Sequence, residues 1–135
     1  MSGPRSVLVV EDDRQNFELV EFLLEEAGIA VRGARDPVTA AAMLADALPD
    51  MVLMDMQLPG VEGLELVARL RRDPRTARLP VVALTAHAMQ GDRERFLGGG
   101  CDGYLAKPIE TARFVDQIRR IWSESTRTHP ESGPE

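Results

Sequence analysis

Residues 6–13 read SVLVVEDD, a short apolar run that passes directly into three carboxylates. Apolar residues stand side by side here, without the alternation of a half-exposed strand, which favours a strand buried on both faces of a parallel sheet. Runs of the same kind recur about every 21 to 30 residues, and they are predicted to be the remaining strands: Ala30 to Ala34, Met51 to Met54, Val81 to Leu84 and Gly103 to Leu105.

The segments between these runs carry the signals of helices. From Arg14 to Ala27 the apolar residues recur on one helical face, and Gly28 stands where a left-handed cap is expected. Asp36 and Pro37 supply an N-cap and a proline at the first helical position. Three more helices are predicted, around Leu64 to Leu70, from Met89 to Leu97 and from Phe114 to Trp122. Five strand-helix units predict a doubly wound α/β sandwich with a five-stranded parallel sheet and five helices.

The 135 residues provide for one domain of ordinary size, predicted to span 6–122. A short N-terminal extension, 1–5, precedes it, and the segment 123–135 is rich in Ser, Thr, Pro and Glu and is predicted to be a disordered tail. The composition, 44% hydrophobic and 28% charged, is typical of a water-soluble globular protein.

The net charge of -6 argues against direct nucleic-acid binding and against attachment to an anionic membrane surface. The longest apolar runs are far shorter than the ~20 residues needed to cross a bilayer, so no membrane insertion is expected. The single cysteine, Cys101, cannot close an intramolecular disulfide. Together with the lack of a signal-peptide core, these features predict a cytoplasmic protein.

Polar residues follow four of the predicted strands. Glu11-Asp12-Asp13 comes after the first, Asp55 after the third, Thr85 after the fourth and Lys107-Pro108 after the fifth. The carboxyl ends of parallel strands meet at one edge, which is where such sheets place their sites. Crowded carboxylates need a cation, and hard oxygen ligands favour Mg²⁺ or Ca²⁺, of which Mg²⁺ is the simpler expectation. The alternative is that the acidic triplet only caps the first helix.

Asp55 favours a functional site over simple capping, because a charged residue is seldom placed at the end of a strongly apolar strand without a task. Lys107 is its natural counter-ion. A carboxylate beside Mg²⁺, with a lysine and the Thr85 hydroxyl, is suited to accept a phosphoryl group, since Asp is the nucleophile of aspartyl-phosphate chemistry. The sequence therefore predicts a phosphoacceptor site.

These residues resemble the receiver domains of two-component response regulators, and the resemblance covers 6 to 122. It implies a flavodoxin-like receiver fold in which Glu11 and Asp12 are the acidic pair, Asp55 is phosphorylated and Lys107 binds the phosphate. It also implies that Thr85 is the switch hydroxyl, Tyr104 the switch aromatic, and the Lys107–Pro108 bond cis. The backbone carbonyl of Gln57 is expected to join Glu11, Asp12 and Asp55 around the metal. Within the family, the chain resembles single-domain cell-cycle and polar-signalling regulators.

The resemblance further implies partners. The phosphoryl donor is expected to be a sensor histidine kinase or a histidine phosphotransfer protein, and the output a protein contact through the fourth helix, fifth strand and fifth helix, with a homodimer as an option. Gln57 and His87 are expected to influence the lifetime of the phosphate. No enzymatic activity is expected beyond Mg²⁺-dependent self-phosphorylation and self-dephosphorylation. The competing hypothesis is a phosphorylation-independent binding module that has kept the fold.

Two other interpretations are disfavoured by context. Residues 98–103, GGGCDG, satisfy G-x-G-x-x-G, but a dinucleotide fingerprint follows a strand and opens a helix, whereas these glycines are predicted to end a helix. An Asp-nucleophile phosphatase usually carries a second Asp two residues past the first, and that place is Gln57 here.

Overall fold

The computed structural model describes residues 3–57, 63–86 and 91–125. Strands and helices alternate along the chain: β1 (Ser6–Val10), α1 (Arg14–Glu26), β2 (Ala30–Ala34), α2 (Pro37–Asp46), β3 (Met51–Asp55), α3 (Gly63–Arg72), β4 (Val81–Thr85), α4 (Asp92–Gly98), β5 (Gly103–Ala106) and α5 (Phe114–Glu124). All four strand pairs are parallel, in the order β2-β1-β3-β4-β5. This confirms the predicted fold class. The winding direction changes between β1 and β3, so a site is expected beyond the carboxyl ends of those two strands.

The strands β1, β3 and β4 are buried on both faces, as their unbroken apolar runs predict, whereas the edge strand β2 is partly exposed. Alternate side chains of a strand point to opposite faces, so Val7 and Val9 belong to one core cluster while Leu8 and Val10 belong to the other. Helices α1 and α5 cover the first cluster, with Val20, Leu24, Phe114 and Ile118 fully buried. Helices α2, α3 and α4 cover the second, to which they contribute Leu44, Leu66, Val67, Leu70 and Phe96.

The predicted helix boundaries of the first two helices are confirmed by their caps. Gly28 adopts a left-handed backbone (φ +83°), and the N–H of Ile29 donates to the Leu24 carbonyl at 3.0 Å. The Asp36 side chain accepts the Thr39 N–H at 2.7 Å, a hydrogen bond that lowers the pKa of Asp36. These caps fix where α1 ends and where α2 begins.

Three strands extend one residue further than predicted. Asp55, Thr85 and Ala106 are the last residues of β3, β4 and β5, because pairing continues through Asp55 opposite Leu84 and Thr85 opposite Ala106. The two polar side chains are therefore fixed by sheet hydrogen bonding rather than carried on loops. In the part of the chain that is described, α4 begins at Asp92; the predicted start at Met89 lies outside the described residues.

Both ends of the domain are more closely attached than the sequence predicts. Residues 3–5 pack onto the domain, where the Arg5 N–H donates to Asp50 Oδ2 at 2.7 Å. Helix α5 continues to Glu124, and the buried Ser125 donates its hydroxyl to Asp102 Oδ1 at 3.2 Å. The folded unit thus includes the first three residues of the predicted tail, 123–125, while 126–135 lie outside the described residues. Among the described helices, none combines the length and the apolar character that crossing a membrane requires.

Candidate functional site

Three carboxylates meet where the winding direction changes. Glu11 directly follows β1, and its N–H donates to the Ala34 carbonyl of the neighbouring strand at 2.9 Å. One carboxylate oxygen from each of Glu11, Asp12 and Asp55 lies within 4.8 Å of the others. Glu11 and Asp55 are both only 3% exposed, whereas Asp12 is exposed to solvent. The cluster therefore has two buried members and one open side.

Lys107 provides the positive charge of the site. Its Nζ lies 3.3 Å from Asp55 Oδ2 and 3.3 Å from Glu11 Oε1. The lysine backbone is fixed by an N–H bond to the Thr85 carbonyl at 2.8 Å, and the Lys107–Pro108 bond is cis, as the resemblance implies. Burial lowers the pKa of Lys107, but the carboxylates of Asp55 and Glu11 outweigh this effect and raise the pKa overall. Lys107 is thus positively charged beside Asp55 at neutral pH.

Glu11 is held by a residue that sequence reasoning did not identify. The Asn16 side-chain amide donates to Glu11 Oε1 at 2.6 Å, and the Asp13 N–H donates to Oε2 at 3.2 Å. Burial raises the pKa of Glu11, and the neighbouring Asp55 raises it further, while the bonds from Asn16 and Asp13 oppose the rise. The only sequence signal for Asn16 is its place in the first turn of α1, which faces the end of β1.

The residues of the acidic triplet, 11–13, have two different roles: one caps α1, and the other two belong to the carboxylate cluster. Asp13 is the N-cap of α1, because its Oδ1 accepts the N–H groups of Gln15 at 3.0 Å and Asn16 at 3.3 Å. Glu11 and Asp12 instead join Asp55 in the cluster. Capping therefore explains one of the three acidic residues and leaves the other two to the site.

The donor set fits Mg²⁺. With all groups ionised, three carboxylates and one ammonium sum to a charge of about -2, which a divalent cation neutralises. The three carboxylates supply hard oxygen donors, and the exposed position of Asp12 leaves the site open to the water ligands that Mg²⁺ usually keeps.

The structure also describes three other predicted site residues, Thr85, Gln57 and Tyr104. Thr85 is 1% exposed and ends β4 beside β5, where its carbonyl accepts the Lys107 N–H. The N–H of Gln57 donates to Asp55 Oδ1 at 3.0 Å, and its exposed side chain accepts the Ala86 N–H at 3.2 Å. Tyr104 is half-buried, and its ring centroid lies 5.7 Å from that of Phe96 on α4. His87 lies outside the described residues.

Comparisons with known proteins agree with this geometry. Residues 7–119 match the family model of the response regulator receiver domain. The chain is 41% identical over 116 residues to the polar-differentiation response regulator DivK of Brucella anthropi, covering 86% of this chain and 94% of that protein. A crystal structure of a response regulator from Chloroflexus aurantiacus superposes with a TM-score of 0.83 at 34% identity, covering 89% of this chain and 98% of that one.

A second solved structure bears on the carboxylate cluster. The receiver domain of a Pseudomonas aeruginosa sensor histidine kinase superposes with a TM-score of 0.79 at 34% identity, covering 90% of this chain and 99% of that one. That structure is described as having a magnesium ion coordinated in its active-site cleft. The fold, the carboxylate-lysine cluster at the strand ends and the match over residues 7–119 lead to one conclusion: the chain belongs to the response regulator receiver domain family.

Proposed function

We propose that Asp55 accepts a phosphoryl group from a phosphohistidine on a sensor histidine kinase or a histidine phosphotransfer protein. The observation that supports this most directly is the position of the Asp55 carboxylate, which is buried at the end of β3, 3.3 Å from the Lys107 ammonium and within the acidic cluster. A carboxylate held in this way is oriented as a nucleophile, and a cation is already in place for the charge of the incoming phosphate.

The phosphoryl transfer is a nucleophilic displacement at phosphorus. A carboxylate oxygen of Asp55 forms the new P–O bond while the P–N bond of the phosphohistidine breaks, and the leaving imidazole keeps that electron pair and takes up a proton. Lys107 offsets charge on the phosphoryl oxygens, and the Thr85 hydroxyl donates a hydrogen bond to one of them. Glu11, Asp12 and Asp55 would hold Mg²⁺, which supplies further charge neutralisation when bound.

We expect Asp12→Ala to weaken Mg²⁺ binding by at least tenfold, because Asp12 is the exposed carboxylate of the cluster and a Mg²⁺ site with few protein ligands depends on each of them. Titration of Mg²⁺ followed by NMR or calorimetry measures the change. Asp13→Ala is the matched control: it removes the α1 cap and some stability but should leave Mg²⁺ affinity within about twofold of the parent. Parent-like Mg²⁺ binding and phosphorylation in Asp12→Ala would refute the metal site.

Glu11→Gln should raise the thermal midpoint of the Mg²⁺-free protein at pH 7. Because folding raises the pKa of Glu11, its proton stabilises the folded state at low pH, and this contribution is lost as the pH rises through the raised value. Ionised Glu11 therefore opposes folding at pH 7, and the gain from Gln should shrink towards pH 4. Saturating Mg²⁺ should reverse the order of the two thermal midpoints, because Mg²⁺ stabilises the parent more than it stabilises the variant. Thermal unfolding at both pH values, with and without Mg²⁺, checks the prediction; a lower midpoint for the variant at pH 7 without Mg²⁺ contradicts it.

Gln57 and His87 are proposed to influence how long the phosphate persists, because the resemblance places them two residues past the acceptor and the switch threonine. The observation that supports this for Gln57 is the hydrogen bond from its N–H to Asp55 Oδ1. Each of the variants Gln57→Ala and His87→Ala should lose its phosphate at a rate that differs severalfold from the rate of the parent. Equal half-lives in all three proteins would leave both positions without a kinetic role.

The output is proposed to be a phosphorylation-dependent contact with a downstream protein through α4, β5 and α5, in the cytoplasm, without an activity beyond self-phosphorylation and self-dephosphorylation. Homodimerisation through the same face is an accompanying proposal that sedimentation with and without a phosphodonor tests. The competing proposal, a binding module independent of phosphorylation, predicts equal partner binding by the parent and by a variant that cannot be phosphorylated.

A further inference from the structure

Gln57 connects the two loops that flank the phosphoacceptor. Its backbone N–H donates to Asp55 Oδ1 at 3.0 Å, while its side-chain Oε1 accepts the N–H of Ala86 at 3.2 Å, from a residue 29 positions further along the chain. One residue therefore contacts the acceptor carboxylate with its backbone and the loop after β4 with its side chain.

The bond from Ala86 continues the β3–β4 ladder beyond the end of the strands. In a parallel pair, alternate residues direct their backbone groups towards the same neighbour. The Leu84 carbonyl faces β3, where it accepts the Met56 N–H at 2.9 Å, so the Ala86 N–H also faces β3. The side chain of Gln57 accepts this N–H. The intervening Thr85 directs its carbonyl towards β5 instead, where it accepts the Lys107 N–H at 2.8 Å.

The peptide unit between Thr85 and Ala86 is consequently held at both ends. Its oxygen accepts the backbone N–H of Lys107, the residue after β5, and its N–H is bound by the Gln57 side chain. The two restraints are unequal, because the first is a main-chain bond that continues the β4–β5 pairing whereas the second depends on an exposed side chain that water can replace. A movement of Thr85 towards a phosphoryl group would turn this peptide unit and release the Gln57 end first.

We propose that Gln57 is a positioning residue that acts as a latch: its side chain holds the Thr85–Ala86 peptide in the unphosphorylated arrangement and opposes the switch. The inference rests on the proposed function, because the opposing force is the phosphoryl group on Asp55. A ligand or bond that exists in one state only shifts a two-state equilibrium towards that state. Loss of one exposed hydrogen bond should shift the equilibrium about two- to tenfold towards the phosphorylated arrangement.

The test compares Gln57→Met, which keeps the chain length but lacks the acceptor oxygen, with Gln57→Glu, which keeps an acceptor. Gln15→Met is the matched control, because Gln15 is an exposed glutamine in α1. The first measurement is the exchange rate of the Ala86 amide without Mg²⁺ or a phosphodonor. It should be about two- to tenfold faster in Gln57→Met and parent-like in Gln57→Glu and Gln15→Met.

The second measurement is the concentration of beryllofluoride, a phosphoryl mimic, that half-saturates the protein at fixed Mg²⁺. It should fall about two- to tenfold in Gln57→Met and stay unchanged in Gln15→Met. This is an equilibrium quantity, so a change in the rate of phosphate loss does not affect it. A merely structural role for Gln57 would leave the mimic's affinity unchanged or weaken it.

Each other outcome overturns the latch in a distinguishable way. An unchanged Ala86 exchange rate in Gln57→Met means that the side chain does not hold the loop. Faster exchange with an unchanged or higher half-saturating concentration means that the bond holds the loop without opposing the switch. If the parent itself does not bind beryllofluoride, the proposed function fails and the latch fails with it, although the Ala86 exchange rates would still report whether the bond is present.

Discussion

Asp55→Asn should abolish phosphorylation completely, the largest effect expected of any single substitution in this chain. Asn keeps the size of the side chain and an oxygen that can accept the Gln57 N–H, so the local structure should persist. It loses the anionic oxygen that attacks phosphorus, and it loses the charge that pairs with Lys107 at 3.3 Å. Intact-mass analysis after treatment with acetyl phosphate and Mg²⁺ should show one phosphate on the parent and none on the variant.

The matched control is Asp13→Asn. Asn is as good an N-cap as Asp, so this variant should fold and should be phosphorylated as the parent is. Asp13 also lies beside the cluster, and its substitution therefore tests whether a neighbouring carboxylate takes the phosphate. Persistent, stoichiometric labelling of Asp55→Asn would refute the assignment, and loss of labelling in Asp13→Asn would show that the effect is not specific to Asp55.

Asp55→Asn also separates the two classes of function. If output depends on phosphorylation, partner binding should lose its response to the phosphodonor in this variant. A binding module that does not need phosphorylation would bind its partner equally well in both proteins. The same pair of proteins thus decides between a switch and a constitutive contact.

The fold was predictable because its central strands, β1, β3 and β4, are buried on both faces. Unbroken apolar runs such as Met51 to Met54 have few alternative structures when Gly, Pro and Asp mark the helix ends around them. The strand ends were less predictable, since a polar residue at a boundary looks like the start of a loop. Asp55 and Thr85 belong to their strands because the neighbouring strand continues to pair with them, and that neighbour is distant in sequence.

The charged residues of the site were predictable for a similar reason, since parallel strands bring their carboxyl ends to one edge. The side-chain contacts that orient them were not. Asn16 bonds Glu11 and Gln57 bonds Ala86 through particular side-chain conformations that no spacing encodes. The division of the acidic triplet, with Asp13 as a cap, likewise depends on the exact residue at which α1 begins.

The proposed switch residues Thr85 and Tyr104 lie near α4, a short helix with one buried residue, Phe96. Helix α4 has seven residues and begins after Gly91, whose backbone is left-handed (φ +96°) and gives no side-chain cap. Its main attachment is Phe96, which is buried and contacts the Tyr104 ring of β5 at 5.7 Å. A displacement of Thr85 can therefore reach α4 through β5, because Thr85 pairs with Ala106 of that strand. We therefore expect α4, β5 and α5 to be the surface that responds most to phosphorylation.

Thr85→Ala should uncouple phosphorylation of Asp55 from that surface. Converting a mostly inactive population to a mostly active one requires about 5 kcal/mol of preference for the active form. A hydrogen bond to a charged group contributes about 1.5 to 3 kcal/mol of this, so losing the Thr85 hydroxyl should reduce the active-to-inactive ratio roughly ten- to hundredfold.

Beryllofluoride should change NMR signals or amide exchange between 85 and 122 in the parent, but mainly around Asp55 and Lys107 in Thr85→Ala. Thr85→Ser, which keeps the hydroxyl, should restore most of the parent response. Changes confined to α1 and α2 in the parent would place the output on the other side of the molecule, and a full response in Thr85→Ala would remove the hydroxyl from the switch.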